Sequence, residues 1–120
     1  MKPGCADGRS PCPVACSLDL LGDKWTLLVV RDLLLGKTTY TGFRESPEGI
    51  PTNILAERLK RLLAAGIIVK SRYQDRPARY AYRLTEKGRD LAPVLSAMID
   101  WGTKARRSTS TPPVSASNVV

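Results

Sequence analysis

At one glycine, Gly66, the apolar residues of this chain change period, and few folds accommodate what stands on its two sides. Before it, Leu55, Leu59 and Leu62 fall at i, i+4 and i+7, with Ile54 and Leu63 widening the stripe, which is the inward face of a helix. Asn53, Ala56, Glu57 and Lys60 recur at helical spacing on another face, with Arg61 beside them, so small, amide and charged groups look outward. Gly66 accepts the positive φ with which helices end, and Ile67, Ile68 and Val69 supply β-branched residues for a strand. The spacing therefore predicts a helix that stops near Ala65. A turn at 74–78 holds Asp75 and Pro77, and beyond it Tyr80, Tyr82 and Leu84 alternate with Ala81 and Arg83, the period of a half-buried strand.

A helix with one polar face followed at once by a basic hairpin is the layout of a winged helix-turn-helix, mainly helical with a two-stranded β-hairpin wing, and the expected class is α+β. The distribution of charge agrees. The formal net charge is +8, yet residues 1–56 carry six Lys/Arg against six Asp/Glu, residues 57–89 carry ten against three, and residues 90–120 carry three against two. The excess thus coincides with the outward helix face and the hairpin, where it attracts a polyanion with salt-dependent affinity. On the helix, Thr52, Asn53, Glu57 and Lys60 are the candidates for base edges of double-stranded DNA, while Arg58 and Arg61 meet phosphates or neighbouring side chains. On the wing, Arg76 and Arg79 stand near the tip, within reach of the adjacent minor groove or backbone. A protein-interaction module on the same scaffold is the alternative, and it calls for a neutral or acidic helix and wing.

The rest of the chain supports this centre. Residues 1–11 have no periodicity and read as a flexible arm. Cys12-Pro13 opens a helix, because proline at the first helical position forgoes only an N–H without a partner, which puts Cys12 at the N-cap. Val14, Leu18 and Leu21 form its apolar stripe up to Gly22. Asp23 can cap the next helix, at 25–35, which is apolar nearly all round and ends at Gly36. Tyr40 and Phe43 anchor a short helix, and Ser46-Pro47-Glu48-Gly49 makes the turn into the polar-faced helix. That helix begins at Ile50-Pro51-Thr52, where Pro51 has no capping side chain, so either Thr52 substitutes or about 1 kcal/mol of capping is forgone. Thr85-Glu86 begins the last helix, with Gly88 a weak point in its first turns. Its Leu91, Val94, Leu95, Met98, Ile99 and Trp101 form an apolar surface wide for so small a domain, which suggests a partner subunit. Residues 108–120, rich in Ser and Thr and without charge, read as a disordered tail, leaving 12–107 as one domain.

Several chemistries are excluded. With no histidine in the chain, Ser-His-Asp and Cys-His nucleophile systems and most catalytic zinc sites are absent, and no Gly-rich phosphate loop is present. The three cysteines lack a fourth ligand for structural zinc, and their odd number in a reducing compartment argues for free thiols. No catalytic residue, cofactor or metal is expected. With no apolar run near the roughly 18 residues of a membrane span and no apolar signal-peptide core, the expected location is cytoplasmic. Cys12 is the chemically active thiol by position, since the N–H groups and dipole of a helix start stabilise a thiolate; Cys16 lies one turn on beside Val14 and Leu18 as a small buried hydrophobe, and Cys5 in the arm is a candidate resolving thiol.

Specific pieces carry a resemblance to a known family: Cys12-Pro13-Val14, Leu20-Leu21-Gly22-Asp23-Lys24-Trp25, the run from Leu55 to Leu62, Ala65-Gly66-Ile67-Ile68, Tyr82-Arg83-Leu84-Thr85 and Trp101-Gly102. In this order the chain resembles the HxlR-type winged-helix transcription regulators of bacteria, in the same broad superfamily as the MarR regulators. The resemblance implies a homodimer that reads a pseudo-palindromic DNA operator, with repression the commoner mode. The dimer interface is expected from the N- and C-terminal helices, at Val14, Leu18, Leu91, Leu95, Met98 and Trp101. Several members sense electrophiles or disulfide stress through a cysteine in the Cys-Pro-Val position, which the resemblance carries onto Cys12, with Cys5 or a cysteine of the other subunit as its disulfide partner and a small oxidant or electrophile as signal. The alternative is a regulator answering to a small-molecule ligand bound near the dimer interface. The family more often has serine where Pro51 stands.

Overall fold

The computed structural model describes residues 10–110. Its elements are α1 (Pro13–Leu21), α2 (Thr26–Leu34), α3 (Tyr40–Arg44), α4 (Thr52–Ala64), β1 (Ile68–Asp75), β2 (Ala78–Leu84), α5 (Glu86–Arg89) and α6 (Ala92–Ser110). The expected winged helix-turn-helix is present, with α3 and α4 as the helix pair and β1–β2 as the wing. The chain divides into two compact units, one ending at Arg89 and the other beginning at Asp90.

The core of the first unit follows from the helical periods. Leu55, Leu59 and Leu62 of α4 are buried, and they join Val29, Val30 and Leu33 of α2, Phe43 of α3, and Ile67 and Ile68 at the start of the wing. Phe43 meets Tyr82 with ring centroids 6.1 Å apart. Burying a side chain the size of leucine in this way contributes roughly 1.5–3 kcal/mol, so the three leucines are what holds α4 to the body.

Gly66 ends α4 at φ +76°, as the sequence requires. Two side chains from beyond the wing then satisfy the helix end: Lys87 Nζ donates to the Ala65 carbonyl at 2.8 Å, and Thr85 Oγ1 donates to the Gly66 carbonyl at 2.6 Å. At its start α4 has Pro51 as N-cap and no side-chain capping bond, so the capping contribution is forgone. The strands are antiparallel, Ile68 pairing with Leu84 and Asp75 with Ala78, with a register irregularity between Arg72 and Gln74. The turn between them contains a cis Arg76–Pro77 bond.

The expected single last helix is divided into α5 and α6. Pro93 cannot donate to the carbonyl one turn back, so helix does not continue from Arg89 through 90–91. Gly88 is also fixed from outside: a Cβ there would lie 2.2 Å from the Ile67 carbonyl oxygen. The weak point expected at Gly88 is thus a point of close approach to the root of the wing. In the second unit α6 continues to Ser110, past the expected start of the tail, and 111–120 lie outside the described residues, as does the arm at 1–9.

Candidate nucleic-acid interface

The outward face of α4 is as the spacing predicts: Thr52, Asn53, Ala56, Glu57 and Lys60 are all exposed. It is held in register from two sides. The Tyr40 hydroxyl of α3 donates to the Thr52 carbonyl at 2.8 Å, and the buried leucines fix its opposite face.

Arg58 and Arg61 are placed differently. Arg58 Nε donates to Asp23 Oδ2 at 2.8 Å, its guanidinium also pairs with Glu57, and its side chain is only 16% exposed. Arg61 Nη1 stands 3.7 Å from Asp23 Oδ1 and 3.5 Å from the Leu20 carbonyl of α1, while its Nη2 is 3.6 Å from Glu57 Oε2. Within the chain itself, both arginines thus reach neighbouring side chains.

Asp23 is the centre of that arrangement. It reaches the start of α2 as expected, its Oδ2 accepting from the backbone N–H groups of Trp25 and Thr26 at 2.9 and 3.1 Å, while the buried Thr26 hydroxyl donates to Oδ1. Partial burial pushes the Asp23 carboxyl up, but the hydrogen bonds from Thr26, Arg58 and the two backbone N–H groups outweigh it and hold the group well below the ordinary carboxylate range.

The wing carries the opposite pattern. Arg76 at the turn and Arg79 beside it are exposed and make no ion pair among the described residues. Lower down, Arg72 Nη2 donates to the Tyr80 hydroxyl at 3.3 Å, and Lys70 Nζ lies 4.5 Å from the centre of the Tyr80 ring. Tyr40, Tyr73, Arg79, Tyr80 and Tyr82 line an open groove of about 420 Å³ between the start of α3 and the wing.

The turn between α3 and α4 is pinned by a network that the sequence reading missed. Arg31 of α2 pairs with Glu48 at 2.8 Å and with the buried Asp32 at 2.9 Å, and Ser46 donates to Asp32 while accepting from Lys37 Nζ at 2.9 Å. The Arg31 guanidinium lowers the Glu48 carboxyl to about 2.

Cys12 is the N-cap residue of α1 and an exposed free thiol. The backbone N–H groups of Ala15 and Val14 lower its pKa. They act as nearby dipoles, since no side-chain capping bond forms. Cys16 differs from expectation: it is disulfide-bonded and half-buried, neither a free thiol nor a core residue, because α1 buries none of its residues completely. Cys5 lies outside the described residues. On α1, Val14 is 66% exposed and Leu18 53%. In the second unit α6 leaves Met98 and Trp101 exposed, with Leu91 and Leu95 half-buried. No helix among the described residues is long and apolar enough to cross a membrane.

A fold of this kind with a polar, exposed second helix and a cationic wing defines a DNA-binding transcriptional regulator of the winged helix-turn-helix class. Residues 20–110 match the model of the HxlR-like helix-turn-helix family, and the chain belongs to that family. It is 36% identical over 99 residues to the HTH-type transcriptional regulator YdeP of Bacillus subtilis, covering 82% of this chain and 77% of the relative. Among solved structures it is similar to the redox regulator HypR in its reduced form, at 34% identity and a TM-score of 0.73 over 79% of this chain and 94% of the other. The reduced form of the transcriptional regulator YodB from B. subtilis aligns at 30% identity and a TM-score of 0.65, covering 87% of this chain and 98% of that one.

Proposed function

We propose that this regulator acts as a homodimeric repressor that lays α4 into the major groove of a pseudo-palindromic operator, with Thr52, Asn53, Glu57 and Lys60 toward the bases and Arg76 and Arg79 on the flanking backbone or minor groove. The observation that carries the reading is the exposed face of Asn53, Ala56, Glu57 and Lys60 beside a wing whose tip cations make no ion pair among the described residues. A second copy covers the apolar groups left exposed on α1 and α6, at Val14, Leu18, Met98 and Trp101, together with the half-buried Leu91 and Leu95. The test is an operator-binding isotherm at several salt concentrations beside sedimentation of the same protein. Salt-insensitive binding, or a monomer at micromolar concentration, rejects the reading. Met98→Asp or Trp101→Asp is expected to give monomers with weakened operator affinity.

A specific observation supports a thiol signal as well: Cys12 is exposed, free and shifted toward the thiolate, and HypR is a redox regulator. In this reading two thiols, Cys12 and a cysteine of the other subunit, lose their protons and join as a disulfide, and an azo or quinone oxidant takes up the two electrons together with two protons from the thiols or the solvent. The bond shifts α1 at the dimer interface and moves the two copies of α4 off the roughly 34 Å spacing of successive major grooves. Operator affinity before and after diamide is expected to change in the wild type and not in Cys12→Ser. An equal response of both proteins, or none in either, removes Cys12 from the signal.

A further inference from the structure

The recognition helix contains three cations, Arg58, Lys60 and Arg61, yet two of them are already neutralised inside the protein. Asp23 and Glu57 contribute two negative charges to the cluster they form with Arg58 and Arg61, so its net charge is zero. Lys60 alone on α4 is an exposed cation with no ion pair among the described residues.

We propose that Asp23 is a specificity-determining positioning residue: by holding Arg58 and Arg61 against the α1–α2 corner it withholds two guanidinium groups from the phosphates, so that α4 discriminates bases with little sequence-independent attraction. The inference rests on the reading of α4 as the base-contacting helix. Its physical basis is that non-specific DNA affinity follows the number of phosphates neutralised, whereas discrimination follows contacts to base edges. A free arginine on this helix strengthens binding to every sequence alike and lowers the ratio of operator to random DNA. The lock is firm for three reasons. Arg58 is mostly buried, Asp23 Oδ2 receives three donors at 2.8–3.1 Å, and the Asp23 carboxyl stays ionised throughout the physiological range. Swinging Arg58 out to a phosphate strips Asp23 Oδ2 of its charged donor at 2.8 Å and leaves a mostly buried carboxylate with the N–H groups of Trp25 and Thr26, the Thr26 hydroxyl and a longer contact to Arg61.

The site also connects two parts of the fold. Arg61 donates to the Leu20 carbonyl, so α4 is tied to the end of α1 at this corner by a side-chain-to-backbone hydrogen bond. Asp23 therefore sets the charge that α4 presents.

The experiment uses the full chain and measures affinity for the operator and for random duplex across salt concentrations. Asp23→Asn keeps one oxygen for the N–H groups of Trp25 and Thr26 and turns its NH2 toward the Thr26 hydroxyl, which then accepts, but removes the charge that holds the arginines. It is expected to raise random-DNA affinity roughly three- to tenfold, steepen the salt slope by about one to two counterions and lower the operator-to-random ratio. Unchanged slope and ratio in a folded Asp23→Asn protein overturn the inference. Should that variant fail to fold, the double change Arg58→Gln with Arg61→Gln decides. A slope within about half a counterion of wild type supports masked arginines, and a slope lower by about two shows them on phosphates and overturns the proposal. Arg79→Gln on the wing, expected to lower the slope by about one, calibrates the measurement. A wild type whose binding ignores salt and sequence would sink the underlying reading of α4 instead, and that result is distinct from both of the others.

Discussion

The recognition helix and the wing are adjacent in the chain and both are basic in sequence, yet the structure treats their charges in opposite ways. In α4 two of three cations are paired with Asp23 and Glu57, and the helix is fixed by three buried leucines. In the hairpin only the root is buried, at Ile68, and Arg76 and Arg79 are exposed with no ion pair among the described residues. A packed, nearly neutral element suits reading, because base contacts depend on register within about an ångström; an exposed cationic element suits attraction, which tolerates imprecise geometry. The comparison teaches that the +7 of residues 57–89 is not spread evenly over the interface. It is concentrated where orientation matters least.

The strongest way to break this contrast is to loosen the helix. Leu62→Ala removes a fully buried side chain and is expected to cost about 2–5 kcal/mol in chemical unfolding, whereas Val69→Ala on the half-exposed wing root is expected to cost under about 1 kcal/mol. Similar losses at the two positions would erase the distinction. Next in size is Gly88→Ala, whose Cβ meets the Ile67 carbonyl; about 1–3 kcal/mol of destabilisation is expected in thermal melts, with Gly66→Ala costing about 1–2 kcal/mol through its φ of +76°.

Function separates the two regions more sharply. Asn53→Ala is expected to lose about 1–3 kcal/mol of discrimination at one base pair with little change in salt slope. Arg76→Ala and Arg79→Ala are each expected to weaken all sequences alike and lower the slope by about one counterion. If Arg79→Ala altered sequence preference while Asn53→Ala altered only the slope, the roles assigned here would be reversed.

The smallest expected effect concerns acid. Arg31 holds the Glu48 carboxyl at about 2 against an ordinary 4.5, so the folded state binds that proton less readily than the unfolded one. Glu48 therefore adds stability above about pH 4.5 that disappears as the pH falls through about 2, and the depressed Asp23 acts in the same sense. Glu48→Gln is expected to lower stability slightly at neutral pH and to converge with the wild type below about pH 2, so that the acid limb of the stability–pH curve is flatter. A steeper acid limb in that variant would contradict the sign.

Much of this architecture was legible in the chain. The leucine spacing located α4 and its inward face, Gly66 located its end, the tyrosine alternation located β2, and Pro13 located the start of α1 with Cys12 as its N-cap. Those features are local, decided by backbone preference and by the period of burial within a few residues. The last helix was misread as continuous because Pro93 was not weighed as a break, and Gly88, weighed as a propensity defect, answers instead to a carbonyl at the root of the wing. Cys16 was misread because a stripe of apolar neighbours implies burial only if something packs over it, and α1 buries no residue completely.

What the amino-acid sequence determined by itself, then, is the set of elements, their order, and the faces they turn inward, since each depends on neighbours at i+2, i+3 or i+4. Tertiary structure alone decided which cations remain available. Asp23 and Arg58 stand 35 positions apart, as far beyond the reach of any period as Arg31 is from Glu48 at 17. Such pairs form only when folding brings two elements together at hydrogen-bond distance, and the Coulomb energy that then neutralises an arginine falls off with distance through space, not with separation along the chain.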